Sequence, residues 1–297
     1  MYHFNHLMVG LTLSARDKAK IRYASLVSSL VSSRMITFVH VGSTIDNPAS
    51  WYFDHMKEAV GSFYRGPSDV MLDYHLIEDG PRVEKEMLEL FSEKKVDLII
   101  VGRIRGTFTG KETLPVRLTR KAQCSVLFVP EEARPSRTRA RDMNILVPID
   151  FSENSADAMK MAMEFAAAHS ISQVFCVHVF HVPLGYYKRG KSYEEFSRIM
   201  HRNAREKCVE FLGRFDQHTV AVTSLFKEDT KAYRAIESVV SEYTIDLIVI
   251  GSRGRRGAAR VLMESVTEQL IRETTVPLLA VKEKGKGMGL VEALRRL

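Results

Sequence analysis

The sequence predicts an α/β fold made of two tandem, doubly wound parallel sheets with five strands each. Short aliphatic runs alternate with longer segments of helical period, as in chains whose parallel strands are joined by crossover helices. The runs are apolar at nearly every position, for example "DLIVI" at 246–250, as expected when helices cover both faces of a sheet. The same pattern also occurs twice in the 297 residues.

The two copies of the pattern are related by a nearly constant offset. "FNHLMVGLTLS" at 4–14 matches "DMNILVPIDFS" at 142–152, an offset of 138 positions. His40 and His178, in the next matching run, are separated by the same 138 positions. In the fourth aliphatic runs the offset grows to 149 positions, as between Asp97 and Asp246. An internal repeat of this kind indicates duplicated structural units, so we expect each half to fold in the same way.

The second copy shows its elements most clearly. We expect strands near 144–149, 173–180, 219–225, 246–250 and 277–281, and helices near 154–170, 192–215, 230–243 and 265–274. Prolines and mixed charges in "PEEARPSRTRARDM" predict a linker between the halves. The predicted division is a first domain at 1–133, a linker at 134–142 and a second domain at 143–297.

Composition narrows the class of protein. The chain has no apolar run near the ~20 residues of a membrane helix, and its start lacks a signal peptide, so we expect a cytoplasmic protein without membrane contact. Three widely spaced cysteines indicate neither a disulfide framework nor a zinc site. The net charge of +7 suits phosphorylated ligands or nucleic acid, but 36 acidic residues are mixed with the 43 basic ones.

A glycine loop follows the fourth strand of the second copy. Gly251 ends the strand and Gly254 follows two residues later, ahead of the helical run that starts near Ser265. Such a loop can turn backbone N–H groups towards an anion, and the next helix adds its positive end. The alternative is that the glycines only turn the chain and that Ser265 caps the helix, since "SVTE" has the form of a capping box.

Three segments of the chain resemble the universal stress protein family, and specifically its tandem members. They are "NILVPIDFS" at 144–152, "VFCVHVF" at 174–180 and the segment 246–271 that contains the glycine loop. The resemblance implies a Rossmann-like fold of the adenine nucleotide alpha hydrolase type, with ATP or AMP as ligand, with or without Mg. ATP-binding members carry G-x2-G-x9-G-[ST]; here Glu264 stands at the third glycine.

The resemblance also implies which residues bind the nucleotide. Asp150 is expected to contact the adenosine portion and Val179 the adenine, although a helix cap is the alternative for Asp150. Histidines in apolar strands are usually core residues, so we expect His40 and His178 to be structural. The predicted nucleotide-binding residues are Asp150, Val179, Gly251, Arg253, Gly254, Ser265 and Val266.

The first copy departs from this binding pattern. Thr12 stands at the position of Asp150 and Arg105 at that of Gly254, and the loop is three residues shorter. We therefore expect one nucleotide site per chain, in the second domain. No set of base, water-positioning group and metal ligands is recognisable, so we expect a stress-response binding protein and not an enzyme.

Two alternatives remain open. The first is a nucleotide-free structural module acting through protein association, as a homodimer or intrachain pseudo-dimer with an unknown protein partner. In the family the last strands commonly pair, so "CSVLFVP" and "VPLLAVK" could join edge to edge within the chain or between chains. The second is nucleic-acid binding through the arginines, which we consider unlikely because stacking aromatics are missing nearby. The C-terminal extension after the last strand could pack on a partner chain.

Overall fold

The computed structural model describes the backbone of most of the chain. The described residues are 4–103, 121–122, 124–133, 140–171, 173–190, 192–216, 219–251 and 258–282. By internal contacts the chain divides into two units. The first unit is Met1–Thr138 together with Ile271–Leu297, and the second unit is Arg139–Leu270. The break after Thr138 lies inside the predicted linker.

The first unit contains five parallel strands in the order β3-β2-β1-β4-β5. This is the doubly wound arrangement that the sequence predicts, with the first strand in the middle and the order reversing beside it. Its strands are β1 (His6–Leu11), β2 (Met35–Gly42), β3 (Met71–Glu78), β4 (Leu98–Arg103) and β5 (Ser125–Pro130). Its helices are α1 (Asp17–Val31), α2 (Ala49–Phe63) and α3 (Val83–Glu93).

The second unit repeats the first four strands in the order β9-β6-β7-β8, again all parallel. These strands are β6 (Ile145–Pro148), β7 (Gln173–Phe180), β8 (Ala221–Glu228) and β9 (Leu247–Gly251). Its helices are α4 (Glu153–Ala168), α5 (Tyr193–Leu212) and α6 (Ala232–Glu242), with short 3-10 turns at Ala140–Asp142 and Tyr186–Arg189. Along the chain, α7 (Ala258–Glu273) then leads back to the first unit.

The last strand, β10 (Leu278–Val281), pairs with β5 in the first unit. The pairing is antiparallel, with Leu279 opposite Leu127. Just after it, the backbone N–H of Lys282 donates to Ser125 Oγ at 3.1 Å. The two final strands of the repeat therefore join within the chain, one of the two arrangements that the sequence allowed. This pairing is why residues 271–297 group with the first unit and not with the predicted domain 143–297.

The strands form the cores of both units. Every residue of β5, β6 and β10 is buried, as are most residues of β1 and β2. Burying one aliphatic side chain contributes about 1.5–3 kcal/mol, so these runs stabilise the fold. Among the described residues, no helix is long and apolar enough to cross a bilayer.

Candidate functional site

Asp150 lies directly beyond the carboxyl end of β6 and organises the turn that follows. Its Oδ1 accepts hydrogen bonds from the Ser152 backbone N–H at 3.0 Å and from the hydroxyls of Ser152 and Ser155, both at 2.5 Å. Its Oδ2 is buried and has no hydrogen-bond partner within the described part of the chain. A buried carboxylate oxygen without a donor is costly, so this atom is suited to receive a donor from a ligand.

The turn after Asp150 is strained and leads into α4. Phe151 has φ of 64°, a left-handed conformation that a bulky residue rarely adopts. Ser152 is the N-cap of α4, because its hydroxyl accepts from the Ser155 N–H at 3.3 Å. Of the two roles considered for Asp150, the cap therefore belongs to Ser152. The strain at Phe151 holds the carboxylate next to the positive end of α4, which stabilises a negative charge.

Gly251, at the end of β9, packs tightly against the first turn of α4. A Cβ atom at this position would lie 2.4 Å from the Asn154 carbonyl oxygen and 2.6 Å from its carbonyl carbon. These are backbone atoms, so a side chain cannot be accommodated by a rotamer change. Gly251 thus has a packing reason of its own, and it brings the end of β9 to the turn that carries Asp150.

The structure describes only some of the remaining residues predicted to bind the nucleotide. Arg253 and Gly254 lie outside the described residues. Helix α7 begins at Ala258, seven positions before the predicted start, so Ser265 lies inside the helix and the predicted cap at Ser265 is wrong. The reason is that "AARVLME" at 258–264 consists mostly of strong helix formers, which extend the helix towards its N-terminus.

This helix start changes which amides can reach an anion. Only the first four N–H groups of an α-helix lack an intrahelical acceptor, and these now belong to 258–261. The N–H groups of Ser265 and Val266 lie beyond that first turn, and Val266 is only 6% exposed. The predicted backbone contribution of these two residues therefore moves to the start of α7, while their role in binding stays a prediction.

His178 and Val179 are adjacent on β7. The Nδ1–H of His178 donates to the Ile149 carbonyl at 3.0 Å, and its ring packs 4.4 Å from that of Phe151. In the first unit His40 makes the same bond to Leu11, at 3.1 Å. Both histidines tie neighbouring strand ends together, so the expected structural role is confirmed. Val179 is half-buried and pairs with Lys227 on β8, and its predicted adenine contact stays a prediction.

In the first unit, side chains of the chain itself occupy the place that corresponds to Asp150 Oδ2 in the second unit. Thr12, the counterpart of Asp150, donates its backbone N–H to the Asp17 carboxylate at 2.9 Å. Asp17 pairs with Lys20 Nζ at 2.7 Å, and their side chains are 0% and 3% exposed. The Lys20 stem packs on Gly102, the counterpart of Gly251, with Cδ 3.2 Å from where a Cβ would lie.

Burial has the largest effect on the pKa of Lys20 and disfavours its positive charge. Desolvation lowers the pKa of Lys20, and the neighbouring Asp17 carboxylate partly raises it again. Each charge depends on the other, because an unpaired charge at this depth costs several kcal/mol. The sequence predicted the loss of this site from Thr12 and from Arg105, which lies outside the described residues. It missed Asp17 and Lys20, whose only signal was their i,i+3 spacing after β1.

The second half of the chain matches a known protein family, and both halves resemble known proteins. The universal stress protein family profile matches residues 143–282. A universal stress protein of Methanocaldococcus jannaschii is 27% identical over 154 residues, covering 47% of this chain and 94% of its own. One of Mycolicibacterium smegmatis is 22% identical over 305 residues, covering 94% and 97%. A solved universal stress protein of Archaeoglobus fulgidus shares the fold, with 16% identity, coverage of 96% and 98%, and a TM-score of 0.64.

Proposed function

Because residues 143–282 match the universal stress protein family, we propose that the chain is a member of that family and that its second unit binds an adenine nucleotide, ATP or AMP. The site lies beyond the carboxyl ends of β6 and β9, where ligands of doubly wound sheets bind. The observation that carries the proposal is Asp150 Oδ2, which is buried and lacks a donor among the described residues. A ribose hydroxyl or an adenine amino group would supply that donor.

The turn at Asp150 is built to keep this oxygen available. Ser152 and Ser155 donate three hydrogen bonds to Oδ1. None of the hydrogen bonds among the described residues ends on Oδ2. The carboxylate is therefore oriented before a ligand arrives, which reduces the ordering cost of binding. Gly251 brings the start of the glycine loop to the same turn, so a nucleoside at Asp150 would have its phosphates near that loop.

The phosphates would bind at the loop and the free amides that begin α7. Glu264 is the residue that argues against this, since a carboxylate about 5 Å from a phosphate costs roughly 3 kcal/mol at an effective dielectric of 20. Glu264 lies six positions after Ala258, however, which is a rise of about 9 Å along the helix. The backbone of Glu264 therefore lies more than one helical turn from the proposed phosphate site, and the charges of Arg253 and its neighbouring arginines can offset the remaining repulsion.

We propose that the protein binds the nucleotide without turning it over, and that occupancy orders the loop and alters a surface read by a partner. Calorimetric titration of the full chain with ATP and with AMP tests this, with Mg²⁺ and with a chelator. The expected result is one site per chain, because Lys20 and Asp17 fill the counterpart in the first unit. A stoichiometry of two contradicts the assignment to the second unit. Steady phosphate release from ATP contradicts the non-catalytic role.

A nucleotide-free scaffold is the second candidate, and the antiparallel pairing of β5 with β10 favours it. In that case Gly251 serves only to pack on Asn154, and the loop has no ligand. Gly254→Asp separates the two, because it adds a side chain and a negative charge to the proposed phosphate loop. If ATP raises the melting temperature of the wild type but not of the variant, nucleotide binding is supported. Identical melting of both proteins with and without ATP supports the scaffold.

A further inference from the structure

Two cysteine thiols meet inside the second unit. Cys176 lies in the middle of β7 and Cys208 on the inner face of α5, and they are 1% and 2% exposed. Each Sγ lies 3.5 Å from the hydroxyl oxygen of Ser224 on β8. The two thiols therefore meet at the same hydroxyl and influence each other's ionisation. The fold thus brings together two sulfur atoms that are 32 positions apart in the sequence.

The contact distinguishes the two thiols chemically. The neighbouring Cys176 thiol lowers the pKa of the Cys208 thiol, and the Ser224 hydroxyl lowers it further. The same contact, together with burial, raises the pKa of Cys176. Cys208 is therefore the more acidic thiol of the two. Because the thiolate is the nucleophile in thiol oxidation, this is the arrangement of an attacking and a resolving cysteine.

Cys124 provides a contrast within the same chain. It lies in the first unit, just before β5, where burial raises the pKa of its thiol to about 12. A thiol held in this way is inert towards oxidants at neutral pH. The chain thus carries its own control cysteine for any reaction at the pair.

We propose that Cys176 and Cys208 form a redox site, at which a hydroperoxide converts the two thiols into an intramolecular disulfide. The Cys208 thiolate attacks a peroxide oxygen, the O–O bond breaks, and the departing hydroxide takes up a proton from solvent to leave as water. The resulting sulfenic acid is attacked by the Cys176 sulfur. Its S–O bond breaks, and the hydroxyl leaves as a second water with the proton of Cys176. Hydrogen peroxide thereby accepts the two electrons that the thiols lose.

Burial determines which oxidants can react. Neither thiol is reachable from solvent in the closed structure, so the reaction proceeds through local opening of α5. Hydrogen peroxide is close to water in size and needs a small opening, whereas an aromatic disulfide reagent needs a large one. The product joins β7 to α5 and closes a loop that includes the turn at Tyr186–Arg189. Such a cross-link restricts the unfolded chain and raises the melting temperature.

The test exposes reduced full-length protein to hydrogen peroxide and counts thiols after unfolding. The three free thiols are expected to fall to one, and a non-reducing digest should contain a peptide pair linked through Cys176 and Cys208. Dithiothreitol should restore all three. The oxidised protein should melt at a higher temperature than the reduced one. Three thiols remaining after treatment, or overoxidised Cys208 without a linked peptide, would overturn the proposal.

Variants assign the reaction to the pair. Cys124→Ser should lose both remaining thiols, since the control cysteine takes no part. Cys208→Ser should retain both of its thiols, because the nucleophile is gone. A linked peptide or a covalent dimer involving Cys124 would count against the assignment. The wild-type digest needs no variant, so the result stands even if a substitution impairs folding. None of these readouts depends on nucleotide binding.

Discussion

The carboxylate of Asp17 and the ammonium of Lys20 form a buried ion pair, 2.7 Å apart, at the strand end where the second unit carries Asp150. In the first unit the negative charge is satisfied within the chain, by Lys20 and by the Thr12 N–H. In the second unit Asp150 Oδ2 has no donor among the described residues. The two halves have the same strand order in their first four strands. They differ in whether the end of the first strand already holds a cation.

Lys20→Met should lower the free energy of unfolding by about 3 kcal/mol, because it leaves the Asp17 carboxylate buried without its cation. Adding Asp17→Asn should recover part of that loss, since the uncompensated charge is then removed as well. Lys85→Met is the control, because Lys85 makes only an exposed ion pair with Glu89 at 3.9 Å and should change stability by less than about 1 kcal/mol. Urea denaturation measures all three. Equal losses for Lys20→Met and Lys85→Met would contradict the buried pair.

Gly251→Ala should destabilise the protein by about 1–3 kcal/mol, because its Cβ would overlap the backbone of Asn154. The matched control is Gly61→Ala on α2, where a Cβ meets no atom within 4 Å. There alanine should stabilise by about 0.5–1 kcal/mol through its higher helix propensity. Thermal and urea denaturation give the sign of each change. A neutral Gly251→Ala variant would show that β9 is not held against α4 as described.

His40 should make stability fall as the pH falls below 6.5. Burial lowers the pKa of His40 in the folded protein, so below 6.5 the unfolded chain binds a proton that the folded one does not. The contribution of His40 to stability is therefore fully present above its pKa in the unfolded chain, and it is lost as the pH drops towards its pKa in the folded protein. Burial lowers the pKa of His75 and His169 in the same direction, so all three contribute.

The variant His40→Asn isolates one of these contributions. Its amide N–H can still donate to the Leu11 carbonyl, but it cannot be protonated. The loss of stability between neutral and mildly acidic pH should become smaller than in the wild type. Urea denaturation on either side of pH 6.5 measures the difference. An unchanged pH dependence would mean that His40 titrates alike in the folded and unfolded chains.

Periodicity predicted the fold because several strands, such as β5 and β6, are buried on both faces. "DLIVI" and its counterparts have no polar alternation, which leaves a doubly wound sheet as the natural arrangement. The partner of β10 was left open, since an edge strand can pair with any free edge and the sequence does not specify which. The start of α7 was misplaced because a capping-box pattern at 265–268 also occurs inside helices. Local signals of this kind are overridden by the helix formers that precede them.

The candidate site was only partly predictable. Asp150 was named through the family resemblance, because its place at the end of an apolar strand also fits a helix cap, and the structure adds that Ser152 and Ser155 hold it. The packing of Lys20 on Gly102 and the meeting of Cys176 and Cys208 at Ser224 could not be predicted, because both depend on which faces of different elements meet. Cysteines 32 positions apart carry no spacing signal.

The most direct test of the account is calorimetric titration of Asp150→Asn with AMP and ATP, beside the wild type and Thr12→Val. Asparagine keeps the shape of the side chain but removes the charge that receives the ligand's donor. We expect at least a tenfold weaker affinity for Asp150→Asn, which is about 1.4 kcal/mol, and wild-type affinity for Thr12→Val at the matching position of the first unit. Wild-type affinity in Asp150→Asn, with circular dichroism confirming the fold, would contradict the account.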